Sequence, residues 1–159
     1  MDEVLAWIGT LPFALAIRRS ATLYIFVNAA HILSFGIIIG AILPLDLRLL
    51  GLARAVPVAV VGPYLSHAAA VGVALTIATG FCLFSVNPLE YASNPAFLTK
   101  MTLLAVGVVN AGLLHLTPQW RAAIKGGPLT LRVRLSAVLS LMIWTGAVVA
   151  GRWIGFLLE

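Results

Sequence analysis

Acidic side chains are nearly missing from this sequence: five Asp and Glu stand among 159 residues, against ten Lys and Arg. Charged residues of both signs make up 9% of the chain, whereas soluble domains carry roughly 25%. With 62% of residues hydrophobic and a mean hydropathy of +1.08, a soluble fold of this length could not hide its apolar surface. The chain reads as an integral membrane protein with too little polar sequence for a separate soluble domain. Cysteine is reduced to Cys82, which excludes a disulfide framework and a thiolate cluster for zinc or iron–sulfur. Cys82 lies in an apolar run and reads as a small buried hydrophobe. No Gly-rich phosphate loop is present, and no carboxylate near the middle of a span is available for a Ser-His-Asp triad or an Asp/Glu proton relay. Asp2 and Glu3 stand where a cleaved leader would carry a basic start. The formal charge of +5 would suggest nucleic acid in a soluble protein. Here the basic residues sit in short loops between apolar spans, read as topology signals, and imply no nucleic-acid partner.

What is present is a set of long apolar runs. The pattern predicts an all-α, up-down-up-down four-helix membrane bundle, one transmembrane domain over residues 1–159, with spans at about 20–43, 63–84, 96–116 and 135–157. Residues 4–17, interrupted by Gly9 and Pro12, read as a short interfacial helix with Trp7 at headgroup level and Arg18-Arg19 at the boundary. The first span stops near Pro44, and Leu45 to Gly51, with Asp46 and Arg48, form an amphipathic interfacial connection. Asn94-Pro95 opens the third span and Thr117-Pro118 closes it. Arg152, Trp153 and Glu159 mark the end of the fourth. Gly36, Gly40, Gly151 and Gly155 are expected at helix or subunit contacts. Four spans put both termini on one side. The connections holding Arg48, Arg54, Arg121, Lys125, Arg132 and Arg134 outweigh Arg18, Arg19, Lys100 and Arg152, which places those connections in the cytoplasm and both termini outside.

The first span carries a polar stripe. Tyr24, Asn28, His31 and Phe35 follow one another at four- and three-residue spacing, so they share a helical face that cannot point at lipid without cost. His31, His67 and His115 are the only imidazoles, and all three fall within spans. Ala105, Val108, Ala111, Gly112 and His115 share a face of small residues on span three, which suits either close helix packing or a slot for a flat cofactor. An imidazole in such a slot points to haem ligation, with propionates reaching Arg48, Arg54, Arg121 or Lys125 at the membrane edge. His31 follows Arg19 by about 18 Å of helix and His115 follows Lys100 by about 22 Å, so their depths match if Arg19 and Lys100 mark one boundary. This favours His31 with His115 across one haem b; His67 with His115 on adjacent helices is the other pairing. Asn28 and Asn110 read as interhelical hydrogen-bond formers or as groups supporting a ligand.

The run His31 to Gly51 ending in Leu45-Asp46-Leu47-Arg48-Leu49-Leu50-Gly51, then Thr79-Gly80-Phe81-Cys82-Leu83-Phe84, Asn94-Pro95-Ala96-Phe97-Leu98-Thr99-Lys100 and Asn110, resembles a group of small bacterial four-span membrane proteins of uncharacterised function. That group is loosely similar in layout to copper-resistance D membrane domains and to diagonal-histidine b-type cytochromes. The resemblance implies a bacterial inner-membrane location, hence periplasmic termini, and carries His31 and His115 over as ligands. The expectation is a haem b-binding electron-transfer subunit working between a quinone in the lipid and a partner protein or second copy. One alternative is a copper-binding or copper-permeating protein using the three histidines with Met101, Met142 or Cys82, whose methionines lack a regular spacing. Another is a metal-free anchor subunit.

Overall fold

A computed structural model describes residues 2–52 and 54–157, and among them every regular element is an α-helix. In chain order these are α1 (Asp2–Ile8), α2 (Pro12–Arg19), α3 (Ala21–Leu49), α4 (Val58–Phe84), α5 (Pro88–Ser93), α6 (Pro95–His115), α7 (Pro118–Ala123) and α8 (Leu131–Leu157). Glu159 lies outside the described residues. Four of the helices, α3, α4, α6 and α8, are long and apolar enough to cross a bilayer, so the chain is a multi-pass membrane protein. They are apolar nearly all round, and their outer faces carry large side chains such as Phe26, Leu33, Ile77 and Met142 in the open. In water that would be a fault; in hydrocarbon it is the required surface.

The helix ends follow local chemistry. Asn94 caps α6, its Oδ1 accepting from the backbone N–H groups of Ala96 at 2.9 Å and Phe97 at 3.1 Å, with Pro95 in the first turn. Thr117 caps α7 in the same way through the N–H of Trp120. The N-terminal segment is two helices rather than one, because Leu11 is extended and Pro12 restarts the helix.

The larger departure is at Pro44. The first span does not stop there: α3 runs through Pro44 to Leu49, and the expected interfacial connection is its last turn. A proline removes one backbone donor, a loss that a helix tolerates where neighbouring packing compensates. That packing is present, since Leu45 and Leu49 join Val58, Leu114, Trp120, Ala123, Val133 and Ala137 in one buried cluster. Asp46 is carried inward with them and is 5% exposed, not an interfacial residue. In the same way α4 begins at Val58, capped by Pro57, and Pro63 lies inside it.

The four long helices pack in the order α4, α3, α8, α6. The tightest approaches are at glycines. A Cβ on Gly72 of α4 would stand 2.9 Å from Ile38 Cγ1 and 3.1 Å from the Ile38 backbone nitrogen on α3. One on Gly107 of α6 would stand 3.1 Å from Ile143 and Trp144 of α8. Gly36 and Gly40, expected at contacts, have nothing within 4 Å and face outward; the close approaches inside the chain fall at Gly72 and Gly107 instead. Consecutive α4 and α6 are tied at one end through α5, where Phe84, Tyr91 and Phe97 stack with ring centroids 5.5–6.4 Å apart.

Candidate functional site

His31 is half-buried on α3, and its Nδ1 lies 2.9 Å from Thr79 Oγ1 on α4. The Thr79 hydroxyl donates its proton to the Leu75 carbonyl at 2.7 Å, so toward the ring it acts as acceptor. Nδ1 therefore carries the imidazole proton and Nε2 is left with its lone pair. The Thr76 carbonyl is within reach of the same ring. Gly80 makes this seat possible, since a Cβ there would stand 3.1 Å from His31 Cε1. Beside it Thr76 is 4% exposed and its Oγ1 has no hydrogen-bond partner among the described residues.

A second polar group comes to the same level from α6. Lys100 is half-buried, its ammonium 5.3 Å from the centroid of the Phe35 ring, one turn beyond His31. It lies over Gly151 of α8, where a Cβ would stand 3.2 Å from Nζ. Phe35 in turn meets Trp144 of α8 at 6.4 Å. All four long helices contribute to this seam, which brings a lone-pair nitrogen and an ammonium together. Among the described residues no carboxylate lies close enough to act on either group. Lys100, read from sequence as a boundary residue, is an interior one.

That placement moves His115. It lies 15 residues beyond Lys100 on α6, about 22 Å further along the helix axis. The reach of a lysine side chain accounts for a small part of that distance, so His31 and His115 are not brought together. His115 is exposed at the end of α6; its Nδ1 donates to the carbonyl of Ala111 in its own helix at 2.7 Å, and its ring stands 4.5 Å from that of Trp120. His67 is exposed on α4, 12 residues or about 18 Å before Thr79. Gly112 faces open space. Arg48 donates from Nε to the Val56 carbonyl and closes the α3–α4 connection, while Arg121 donates to the Leu116 carbonyl at 3.4 Å. Arg48 is 17 residues along α3 from His31, about 26 Å, so it does not serve a group held at that imidazole. Asn28 is half-buried on α3, within one turn of His31.

Asn110 does join two helices, as its position in an apolar span suggests. Its Nδ2 donates to the Ser136 carbonyl at 3.1 Å, and Ser136 Oγ donates back to Asn110 Oδ1 at 3.0 Å, a reciprocal clamp of α6 on α8. For copper the arrangement offers little, because Met101 and Met142 are exposed and Cys82 is half-buried on α4. No group of three His, Cys, Asp or Glu side chains is gathered among the described residues.

Sequence reasoning missed Thr79, Gly80 and Lys100 as partners of His31. The available signal was the polar Thr76-x-x-Thr79-Gly80 step in an otherwise apolar helix, together with a lysine six residues into a span that has no acid to meet it.

No curated protein and no solved structure matches this chain, so the likeness to copper-resistance D domains and b-type cytochromes gains no support there. A family model matches residues 6–157, nearly the whole chain, and by that match the protein belongs to the DUF6644 family, a family of unknown function.

Proposed function

We propose that this protein is a membrane electron-transfer subunit that receives the headgroup of a quinone at the His31–Lys100 seam. The observation that carries this reading is the pairing of an imidazole held by Thr79 with its Nε2 lone pair free and an ammonium that, among the described residues, has no carboxylate to neutralise it. A quinone offers two carbonyl oxygens and a quinol two hydroxyls. Lys100 donates to a carbonyl oxygen and favours negative charge arriving there; His31 Nε2 accepts from a hydroxyl. The apolar walls, Phe35 and Trp144, suit the ring of such a ligand. Oxidation of the quinol releases two electrons to a partner and two protons, and His31 Nε2 is placed to accept one of the protons.

Haem b is the second reading, favoured by one observation. An imidazole whose Nδ1–H is held by a fixed acceptor has its ring oriented, and His31 Nε2 would be the atom that holds a haem iron. His115 lies turns away and would not share such a group with His31.

The same proposal includes a bacterial inner-membrane location with both termini periplasmic. With Lys100 inside the membrane, the outer side counts Arg18, Arg19 and Arg152 against six Lys and Arg in the connections on the other side, a wider margin than the sequence alone gives.

The test is the quinone extracted from purified protein in lipid nanodiscs, together with a reduced-minus-oxidised spectrum. Bound quinone above the level of empty nanodiscs, lost in His31→Leu and in Lys100→Met, is the expected result. Equal quinone in wild type and both variants overturns the reading; haem bands that vanish in His31→Leu replace it with the second.

A further inference from the structure

Asp46 is the only acidic residue in the described part of the four long helices, and it is buried. It sits in the last turn of α3 at 5% exposure, and its Oδ2 has no hydrogen-bond partner among the described residues. Ser140 of α8, itself 9% exposed, places its hydroxyl beside the carboxyl. Among the described residues no cation compensates it. Arg48, two residues on, is turned to the Val56 carbonyl, and Arg54 to the Gly51 carbonyl. From the helices that pack around this end, His67 of α4, Arg121 of α7, and Arg132 and Arg134 of α8 are all exposed, and none acts on the carboxyl.

An ionised carboxylate is poorly served here. It would be desolvated, without a counter-charge, and at the negative end of the helix dipole, where the unpaired carbonyls of α3 repel it. A protonated carboxyl is well served: its O–H donates to Ser140 Oγ. Once the proton leaves, the Ser140 hydroxyl rotates and donates to the carboxylate, so a single partner supports both states. A hydroxyl can do this where a lysine ammonium, which only donates, cannot. Asp46 also lies near an end of its helix, 15 residues and about 22 Å beyond His31, within one turn of the α3–α4 connection and its contact with water.

From this geometry we propose that Asp46 is a proton-binding site of the membrane domain, a carboxyl that holds a proton in the buried position beside Ser140 and exchanges it with water at the α7 end of the bundle. The exchange is a simple transfer, COOH and water giving COO⁻ and hydronium. It stands on the surroundings of Asp46 alone and does not depend on what His31 binds.

The test uses dicyclohexylcarbodiimide on the full chain in lipid nanodiscs. This reagent is apolar and adds to protonated carboxyls: the acid proton passes to a carbodiimide nitrogen, the carboxylate oxygen bonds to the central carbon, and the adduct rearranges to a stable N-acylurea with nothing lost. Asp2, Glu3 and Glu90 are exposed to water, where the apolar reagent does not accumulate. Mass spectrometry of the digested protein is expected to find the adduct on Asp46 at neutral pH, falling as pH rises, and reduced to background in Asp46→Asn. Ser140→Ala is expected to keep the adduct and shift the pH at which it declines to a higher value, because the ionised form loses its only donor. A monodisperse wild-type protein that remains unlabelled at Asp46 at every pH overturns the proposal. So does labelling suppressed by sodium at constant pH and ionic strength, which would make the site one for a metal cation.

Discussion

His31 shows what a single residue can and cannot reveal. That an imidazole sits on the inner face of the first span was legible, because Tyr24, Asn28, His31 and Phe35 repeat at helical spacing in an apolar run. Its partner was not, because Thr79 is 48 residues away on another helix and nothing local marks the pair. Removing that partner tests the seat directly. Thr79→Val leaves the Nδ1–H without its acceptor and is expected to cost about 1 kcal/mol, read as a lower thermal midpoint in detergent, with Thr79→Ser restoring it. Tyr91 gives a second test at this scale. It lies on α5, outside the spanning helices, where burial, with Tyr24 beside it, pushes its phenol from 10.0 up to about 12. The folded protein then holds this proton more tightly than the unfolded chain does. Stability due to this group is complete below the ordinary phenol value and is lost as pH rises from there through about 12. An alkaline unfolding series is expected to show that loss in wild type and to show less of it in Tyr91→Phe.

Elements were easier to foresee than their edges or their contacts. Long apolar runs declare the spans, yet Pro44 and Pro63 read as boundaries and lie inside α3 and α4. A proline ends a helix when water waits beyond it; here the cluster around Trp120 rewards one more turn, and that cluster is assembled from residues between 45 and 137 that no local window contains. The same separation hid the helix contacts. Gly36 and Gly40 carry the conspicuous glycine pair at four-residue spacing and face outward, whereas Gly72, whose neighbours at four residues are Ala68 and Thr76 rather than glycine, meets the backbone of α3. Gly72→Leu is expected to destabilise the protein by about 1–3 kcal/mol, since the neighbour it would strike is a helix backbone as well as a side chain. Gly36→Leu is expected to leave the midpoint of the monomer unchanged. Thermal unfolding followed by circular dichroism compares the two; equal losses would show that the α3–α4 approach is not the tight one.

At the scale of the whole molecule, composition pointed to a membrane protein, because a chain with 9% charge has no other stable place for its surface, and the placement of the apolar runs set the number of spans at four. The order of the helices was not available in the same way. An up-down-up-down chain invites the picture of spans one and three as diagonal neighbours with matched depths, and that picture rested on taking Lys100 for a boundary residue. In the fold α8 packs against both α3 and α6, and Lys100 reaches inward over Phe35. This change also bears on orientation. Each lysine or arginine held on the cytoplasmic side resists translocation, and the proposed orientation rests on the count of such residues at the two ends of the spans. Single cysteines placed in a Cys82→Ser background test this: Thr10→Cys, in the turn between α1 and α2, and Lys125→Cys, just after α7, lie at opposite ends of the spans. A membrane-impermeant maleimide applied to intact cells is expected to label the first and to reach the second only after the cells are broken. The reverse pattern would turn the molecule over, putting the water-facing end near Asp46 outside and the His31 seam toward the cytoplasm, and would reverse the direction in which any proton taken up at Asp46 moves.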